Sequence, residues 1–169
     1  MRRSSVLVAL LLLGSAPALA AEEPSGCDKF KWPIDRERGA LTAPDRAKLS
    51  SGNELAALPA SGITLTLVPP AEAKLPTVPE RAPKDGTFAG FISFKNAPKA
   101  GLYTISLSSD AWVDVVQDGH FLKPKGFSGA TDCEGIRKTM KFELSARPFV
   151  LQISGAKENS ISVAILSTE

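Results

Sequence analysis

The chain is poor in the side chains that bind metal ions in proteins. It has one histidine, His120, and two cysteines, Cys27 and Cys133. Structural zinc takes four Cys or His ligands and catalytic zinc usually takes three, while a non-haem iron centre takes two histidines and a carboxylate. One chain of this composition cannot supply such a set. The sequence therefore predicts no metal site, and no motif in it indicates a cofactor.

Motifs for covalent catalysis and for phosphate binding are also missing. The stretch GFSGA at residues 126–130 does not match the G-x-S-x-G elbow of serine hydrolases. The stretch GNELAALPASG at residues 52–62 lacks the lysine of a phosphate-binding loop. We therefore assign no catalytic residue. A hydrolase that uses a pair of carboxylates stays open as an alternative, because 18 acidic residues allow many such pairs.

The N-terminal stretch MRRSSVLVALLLLGSAPALAA has the three-part pattern of a secretory signal peptide, which predicts cleavage near Ala20 and a periplasmic or secreted mature chain. Its apolar run is too short to span a bilayer, and no later stretch is apolar enough, so we do not expect an integral membrane protein. Without Arg2 and Arg3, 18 basic residues balance 18 acidic ones. This balance argues against a nucleic-acid partner, which would require a basic surface.

Two cysteines in an exported chain most simply form a disulfide, which predicts a bond between Cys27 and Cys133. Free thiols and pairing between chains are the alternatives. Lipid attachment at Cys27 is a further one, although PSGC has proline where a lipobox has leucine. The predicted bond would fix the N-terminal segment to the β-rich half of the chain.

Apolar residues alternate with polar ones from Ile63 almost to the end of the chain. The apolar positions are Ile63, Leu65, Leu67, Phe88, Ile92, Phe94, Tyr103, Ile105, Leu107, Met140, Phe142, Leu144, Phe149, Leu151, Ile153, Ile161, Val163 and Ile165. Such alternation is typical of antiparallel strands with one buried face. We predict an all-β fold, an antiparallel, jelly-roll-like β-sandwich of about eight strands over residues 63–169.

Two segments depart from this pattern. Residues 21–62 are predicted to form an irregular or helical flap over a sheet, with Thr42 as a helix N-cap. Residues 69–86 contain five prolines, which exclude a central strand and favour an extended connection. This proline-rich connection is either a crossover between the sheets or a domain boundary.

The stretch WVDVVQDGHFLKP, residues 112–124, has the pattern of a β-hairpin. Asp118-Gly119 favours a two-residue type I′ turn, which pairs Val116 with Phe121 and Gln117 with His120. In this register one face carries Val113, Val115 and Leu122, and the other carries Trp112, Asp114, Val116, Phe121 and Lys123. His120 and Asp114 lie on opposite faces and cannot share a metal ion, so His120 is interpreted as structural.

The face with Trp112, Asp114, Phe121 and Lys123 is the candidate ligand-binding site. Exposed aromatics beside charged groups suit a glycan or a partner protein. In the alternative reading, Trp112 and Phe121 pack beneath the N-terminal flap, and Asp114 forms a surface ion pair with Lys123.

Three stretches between residues 87 and 166 carry a family resemblance: KAGLYTISLSS, DAWVDVVQDG and ARPFVLQISGAKENSISVAI. Together they resemble the bacterial pre-peptidase C-terminal domain, a small β-sandwich appended to secreted hydrolases. The resemblance implies a non-catalytic module for targeting, surface attachment or substrate contact, although no protease domain accompanies it here. We therefore expect an exported binding module for an envelope protein or a glycan. A structural or assembly subunit of an envelope complex is the alternative.

Overall fold

The computed structural model describes residues 22–96 and 99–168, which form two β-sheets around a shared core and one short α-helix, α1 (Asp35–Thr42). A 3₁₀ turn spans Cys27–Lys29. The strands are β1 (Ala47–Ser50), β2 (Asn53–Leu55), β3 (Ile63–Thr66), β4 (Phe88–Phe94), β5 (Gly101–Leu107), β6 (Trp112–Gln117), β7 (His120–Phe121), β8 (Gly126–Gly129), β9 (Lys138–Leu144), β10 (Phe149–Ala156) and β11 (Ser160–Ser167). The prediction of a mostly β, two-sheet architecture is confirmed.

The described residues form eleven strands where the sequence predicted about eight. The additional strands are β1, β2 and β8, which are three or four residues long. Alternation does not show in so few positions, so these strands have no sequence signal of their own.

The sheets are mixed, and the prediction of a purely antiparallel sandwich is wrong. The six-stranded sheet has the order β1-β3-β11-β5-β9-β8, and the five-stranded sheet has the order β2-β4-β10-β6-β7. Strand β1 pairs parallel with β3, and β2 pairs parallel with β4. Parallel neighbours need a crossover. Here the chain leaves β1 through Gly52, at φ 90°, forms β2 in the other sheet, and returns to form β3.

The core lies between the two sheets and consists of the alternating residues. Every apolar position predicted from Ile63 to Ile165 belongs to this one cluster, with Phe88 at its margin. Phe94 and Phe149, from adjacent strands of the five-stranded sheet, stack with ring centroids 4.6 Å apart. The period of two along each strand therefore identified the inward face correctly.

The N-terminal segment covers the outer face of the six-stranded sheet. Helix α1 packs on β11 and β5, and a second small core forms from Ile34, Leu41, Ile136, Ala164 and Cys133. Thr42 is the last residue of the helix, so its predicted role as an N-cap is wrong. Pro44 explains the helix end, because the residue before a proline is biased away from helical geometry.

The predicted disulfide between Cys27 and Cys133 is confirmed, with the Cα atoms 4.8 Å apart. It ties the 3₁₀ turn to the loop that precedes β9. The bond closes a loop with a sequence separation of 106. In the chain-entropy model, a disulfide restricts the unfolded chain more when the loop that it closes is longer.

The proline-rich connection, residues 69–86, joins β3 of one sheet to β4 of the other, so it is a crossover. Two of its residues are bound by side chains of the five-stranded sheet. The backbone N–H of Thr77 donates to Gln152 Oε1 at 2.9 Å, and Gln152 Nε2 donates to the Thr77 carbonyl at 3.0 Å. The backbone N–H of Glu80 donates to Asp114 Oδ2 at 3.2 Å. The proline-rich connection therefore covers the face on which we had expected the N-terminal flap.

Candidate functional site

The hairpin of β6 and β7 positions the site. Asp118 and Gly119 both have positive φ, 53° and 77°, as a type I′ turn requires. The predicted register is confirmed, since Gln117 pairs with His120 and Val116 with Phe121. His120 is exposed at the end of the hairpin.

Asp114 is buried, with 3% of its surface exposed, although it lies on the outer face of its sheet. Both carboxylate oxygens accept hydrogen bonds: Oδ1 from Trp112 Nε1 at 2.7 Å, and Oδ2 from the backbone N–H of Glu80 at 3.2 Å. Burial raises the pKa of the Asp114 carboxyl, and the two hydrogen bonds lower it in part. Asp114 therefore acts as an anchor that orients Trp112 and fixes the proline-rich connection.

Lys123 forms its ion pair with Glu80. The alternative reading predicted a surface ion pair between Lys123 and Asp114, and that prediction is wrong. The reason is that Asp114 is covered by the proline-rich connection, whereas the Glu80 side chain is partly exposed. The pair joins the end of the hairpin to the connection. Exposed pairs of this kind stabilise a fold only weakly.

An apolar cleft of about 480 Å³ opens beside Trp112, at the edge of the sandwich where β7 ends one sheet and β8 ends the other. Residues 122–125 connect these two strands. The cleft is lined by Glu80, Trp112, Val113, Leu122, Lys123, Pro124, Phe127, Lys138, Met140 and Phe142. Its volume lies in the range of small-molecule sites.

Two large aromatic side chains of this apolar cleft contact solvent. Phe127 is 50% exposed and Trp112 is 37% exposed. Among the described residues, Val78 is the one other large hydrophobic side chain with comparable exposure. Exposed aromatics that line the same cleft mark a binding surface better than scattered apolar residues do.

A second, cationic cleft of about 200 Å³ also borders Trp112. Four basic residues and one acid line it: Arg81, Lys84, Lys138, Lys157 and Asp110. Trp112 and Lys138 line both clefts. The Arg81 guanidinium lies 5.7 Å from the centroid of the Trp112 ring, in cation–π geometry.

Lys138 is the one buried lysine of the site, with 9% of its surface exposed. Its ammonium group has three N–H donors, and within the described chain it donates one hydrogen bond, to Asp110 Oδ1 at 3.1 Å. Asp110 is itself mostly exposed. A buried cation with spare donors and one exposed partner favours an anionic group beside it.

The four site residues predicted from sequence are only partly brought together. Trp112 and Lys123 line the apolar cleft, whereas Asp114 and Phe121 do not. Sequence reasoning missed Leu122, Phe127, Met140 and Phe142 as site residues. The alternation assigned Met140 and Phe142 to the core, which is also correct, and no signal in GFSGA indicated that Phe127 lines the same cleft as Trp112.

Residues 22–96 and 99–168 contain no group of three His, Cys, Asp or Glu side chains that is close enough to hold a metal ion. In the same ranges, no helix has the length and apolar character that a membrane crossing requires. The chain matches no protein-family model and no curated protein. The side chains of the two clefts are therefore the basis for a functional proposal.

Proposed function

We propose that the protein is an exported, periplasmic or secreted, β-sandwich binding module that holds the apolar part of a cell-envelope molecule in the apolar cleft, without catalysing a reaction. The observation that carries this proposal is that two exposed aromatics, Trp112 and Phe127, line one apolar cleft. Burying aromatic side chains of this size contributes strongly to binding.

The apolar cleft is held in shape before any ligand binds. Asp114 orients the indole of Trp112 by accepting a hydrogen bond from its Nε1, and Lys123 at the rim pairs with Glu80. Preformed sites lose less side-chain entropy on binding than flexible ones do. Asp114 is the buried acid nearest the cleft, and because both its oxygens are engaged, its environment suits an anchor better than a general acid or base.

Two further observations support an exported binding module. The intramolecular disulfide between Cys27 and Cys133 suits an oxidising compartment. The resemblance of residues 87–166 to the pre-peptidase C-terminal domain suits a non-catalytic module that makes surface contacts.

A neutral apolar fluorophore, N-phenyl-1-naphthylamine, tests this proposal in titrations of the mature protein. We expect saturable binding with a 1:1 stoichiometry. Trp112→Ala and Phe127→Ala should each weaken it about tenfold or more, because aromatic anchors at the centre of a site contribute most of the affinity.

The matched control is Val78→Ala, which removes an exposed apolar side chain outside the cleft. It should bind the fluorophore like the unmodified protein, and thermal melts should show that all three variants fold. Absence of saturable binding, or equal losses for Val78→Ala and Phe127→Ala, would exclude the apolar cleft as the binding site.

A further inference from the structure

We infer that the ligand is a free, single-chain anionic amphiphile, whose alkyl tail lies in the apolar cleft and whose anionic headgroup lies in the cationic cleft. This inference rests on the proposed function. It follows from the placement of Trp112 and Lys138, which line both clefts, so that the two clefts adjoin at these side chains.

The apolar cleft specifies the tail. Leu122, Phe127, Met140 and Phe142 supply apolar contacts, and their side chains have no hydrogen-bond donor and no acceptor stronger than the Met140 thioether. A volume of about 480 Å³ lies in the lower half of the range for small-molecule sites, which fits one chain better than a two-chain lipid.

The cationic cleft specifies the headgroup. Its basic side chains outnumber its acidic ones by four to one, since Asp110 is the one acid that lines it. Lys138 pairs with that acid. In the described ranges, Lys84 and Lys157 form no ion pair, and Arg81 contacts the Trp112 ring. Three cations thus remain uncompensated around a small cleft, which attracts an anion.

Lys138 is the reason to expect the alkyl tail and the anionic headgroup in one ligand. Its side chain is 11% exposed, and it stands where the two clefts meet. A ligand that lay in the apolar cleft alone would cover this cation with hydrocarbon, which is costly. An anionic headgroup at the junction would instead accept hydrogen bonds from its unused donors, and charge-assisted bonds of this kind are strong.

The test is displacement of bound N-phenyl-1-naphthylamine by decanoate and by decan-1-ol, which share the tail length and differ in charge. We expect decanoate to bind about tenfold more tightly than the alcohol, as two or three partly exposed ion pairs would provide. Raising the ionic strength from 0.05 to 0.5 M should reduce this preference, because salt screens exposed charges.

The charge variant is Lys84→Gln/Lys157→Gln, which should reduce the preference for decanoate to about twofold while fluorophore binding stays unchanged. Its matched control is Lys48→Gln/Lys74→Gln, which removes the same net charge from exposed lysines outside both clefts. The control should keep the full preference.

The outcomes separate this inference from the proposed function. Fluorophore binding with equal affinities for decanoate and decan-1-ol would overturn the anionic headgroup and leave the binding module intact. Absence of fluorophore binding would overturn both. Sedimentation with phosphatidylglycerol vesicles, combined with no displacement by decanoate, would show that a membrane surface is bound in place of a free amphiphile and would also overturn the inference.

Discussion

A comparison of Asp114→Ala with a matched control separates two roles of Asp114: it orients Trp112, and it holds the proline-rich connection. Asp114 serves both, because one oxygen accepts from Trp112 Nε1 and the other from the backbone N–H of Glu80. Gln152 stands directly opposite Asp114 on β10 and binds the same connection through two hydrogen bonds to Thr77, whereas the hydrogen bond of Trp112 Nε1 goes to Asp114. Gln152→Ala is therefore a matched control.

The two substitutions should destabilise the fold by similar amounts. Hydrogen bonds to a charged acceptor contribute about 1.5 to 3 kcal/mol each, but burial of the Asp114 carboxylate offsets part of this, as the raised pKa indicates. We expect a loss of about 2 kcal/mol in the free energy of unfolding. Gln152→Ala removes two neutral hydrogen bonds of a fully buried side chain, which also costs about 2 kcal/mol.

The effect on binding should differ between them. In Asp114→Ala the indole of Trp112 loses the hydrogen bond that orients it, so a ligand must immobilise it further, at about 0.5 to 1.5 kcal/mol. N-phenyl-1-naphthylamine should therefore bind about fivefold more weakly to Asp114→Ala, and with unchanged affinity to Gln152→Ala. Urea denaturation gives the stabilities, and fluorescence titration gives the affinities.

Two results would refute this reasoning. If Asp114→Ala binds the fluorophore as tightly as the unmodified protein, the hydrogen bond to Trp112 does not shape the apolar cleft. If Gln152→Ala loses as much affinity as Asp114→Ala, the position of the proline-rich connection controls binding, and the orientation of the indole does not.

Two further predictions concern stability. Cys27→Ser/Cys133→Ser should lower the free energy of unfolding in urea by up to about 4.7 kcal/mol, since the bond closes a loop of about 100 residues; a loss below about 1 kcal/mol would show that the unfolded chain is restricted by other contacts. Burial raises the pKa of Asp114 above its ordinary value of 3.8, so the folded state holds this proton more tightly than the unfolded state does. The stability of the protein relative to Asp114→Asn should therefore be highest below pH 3.8 and decline as the pH rises through the folded-state pKa, and urea titrations showing the opposite slope would contradict this.

Patterns that depend on near neighbours in the chain were readable from the sequence. The alternation of residues such as Ile105 and Leu151 identified the buried face of each long strand, because the side-chain period of a strand is a local property. Asp118-Gly119 fixed the register of the β6–β7 hairpin, because positive φ at two successive residues selects one turn. The disulfide was predicted from there being two cysteines in a chain whose N-terminal stretch has the pattern of a signal peptide.

Features that depend on distant segments were not readable. The parallel pairs β1–β3 and β2–β4 arise because a short N-terminal stretch visits both sheets, and strands of three or four residues carry no periodic signal. Asp114 looked exposed because it lies on the outer face of its strand, yet residues 77–80 cover it. No local sequence pattern indicates that residues 77–80 cover Asp114.

The candidate site also combines features that the sequence predicts with features that depend on distant segments of the chain. The sequence by itself determined that Trp112 and Lys123 end a hairpin on the face away from the strand's core side chains. Only the tertiary structure decided that Phe127 and Trp112 line one cleft, and that Lys84, Lys138 and Lys157 line the neighbouring one. The physical reason is that a cleft between two sheets is built from residues far apart in the chain, and their proximity depends on strand order and on the crossover that joins the sheets.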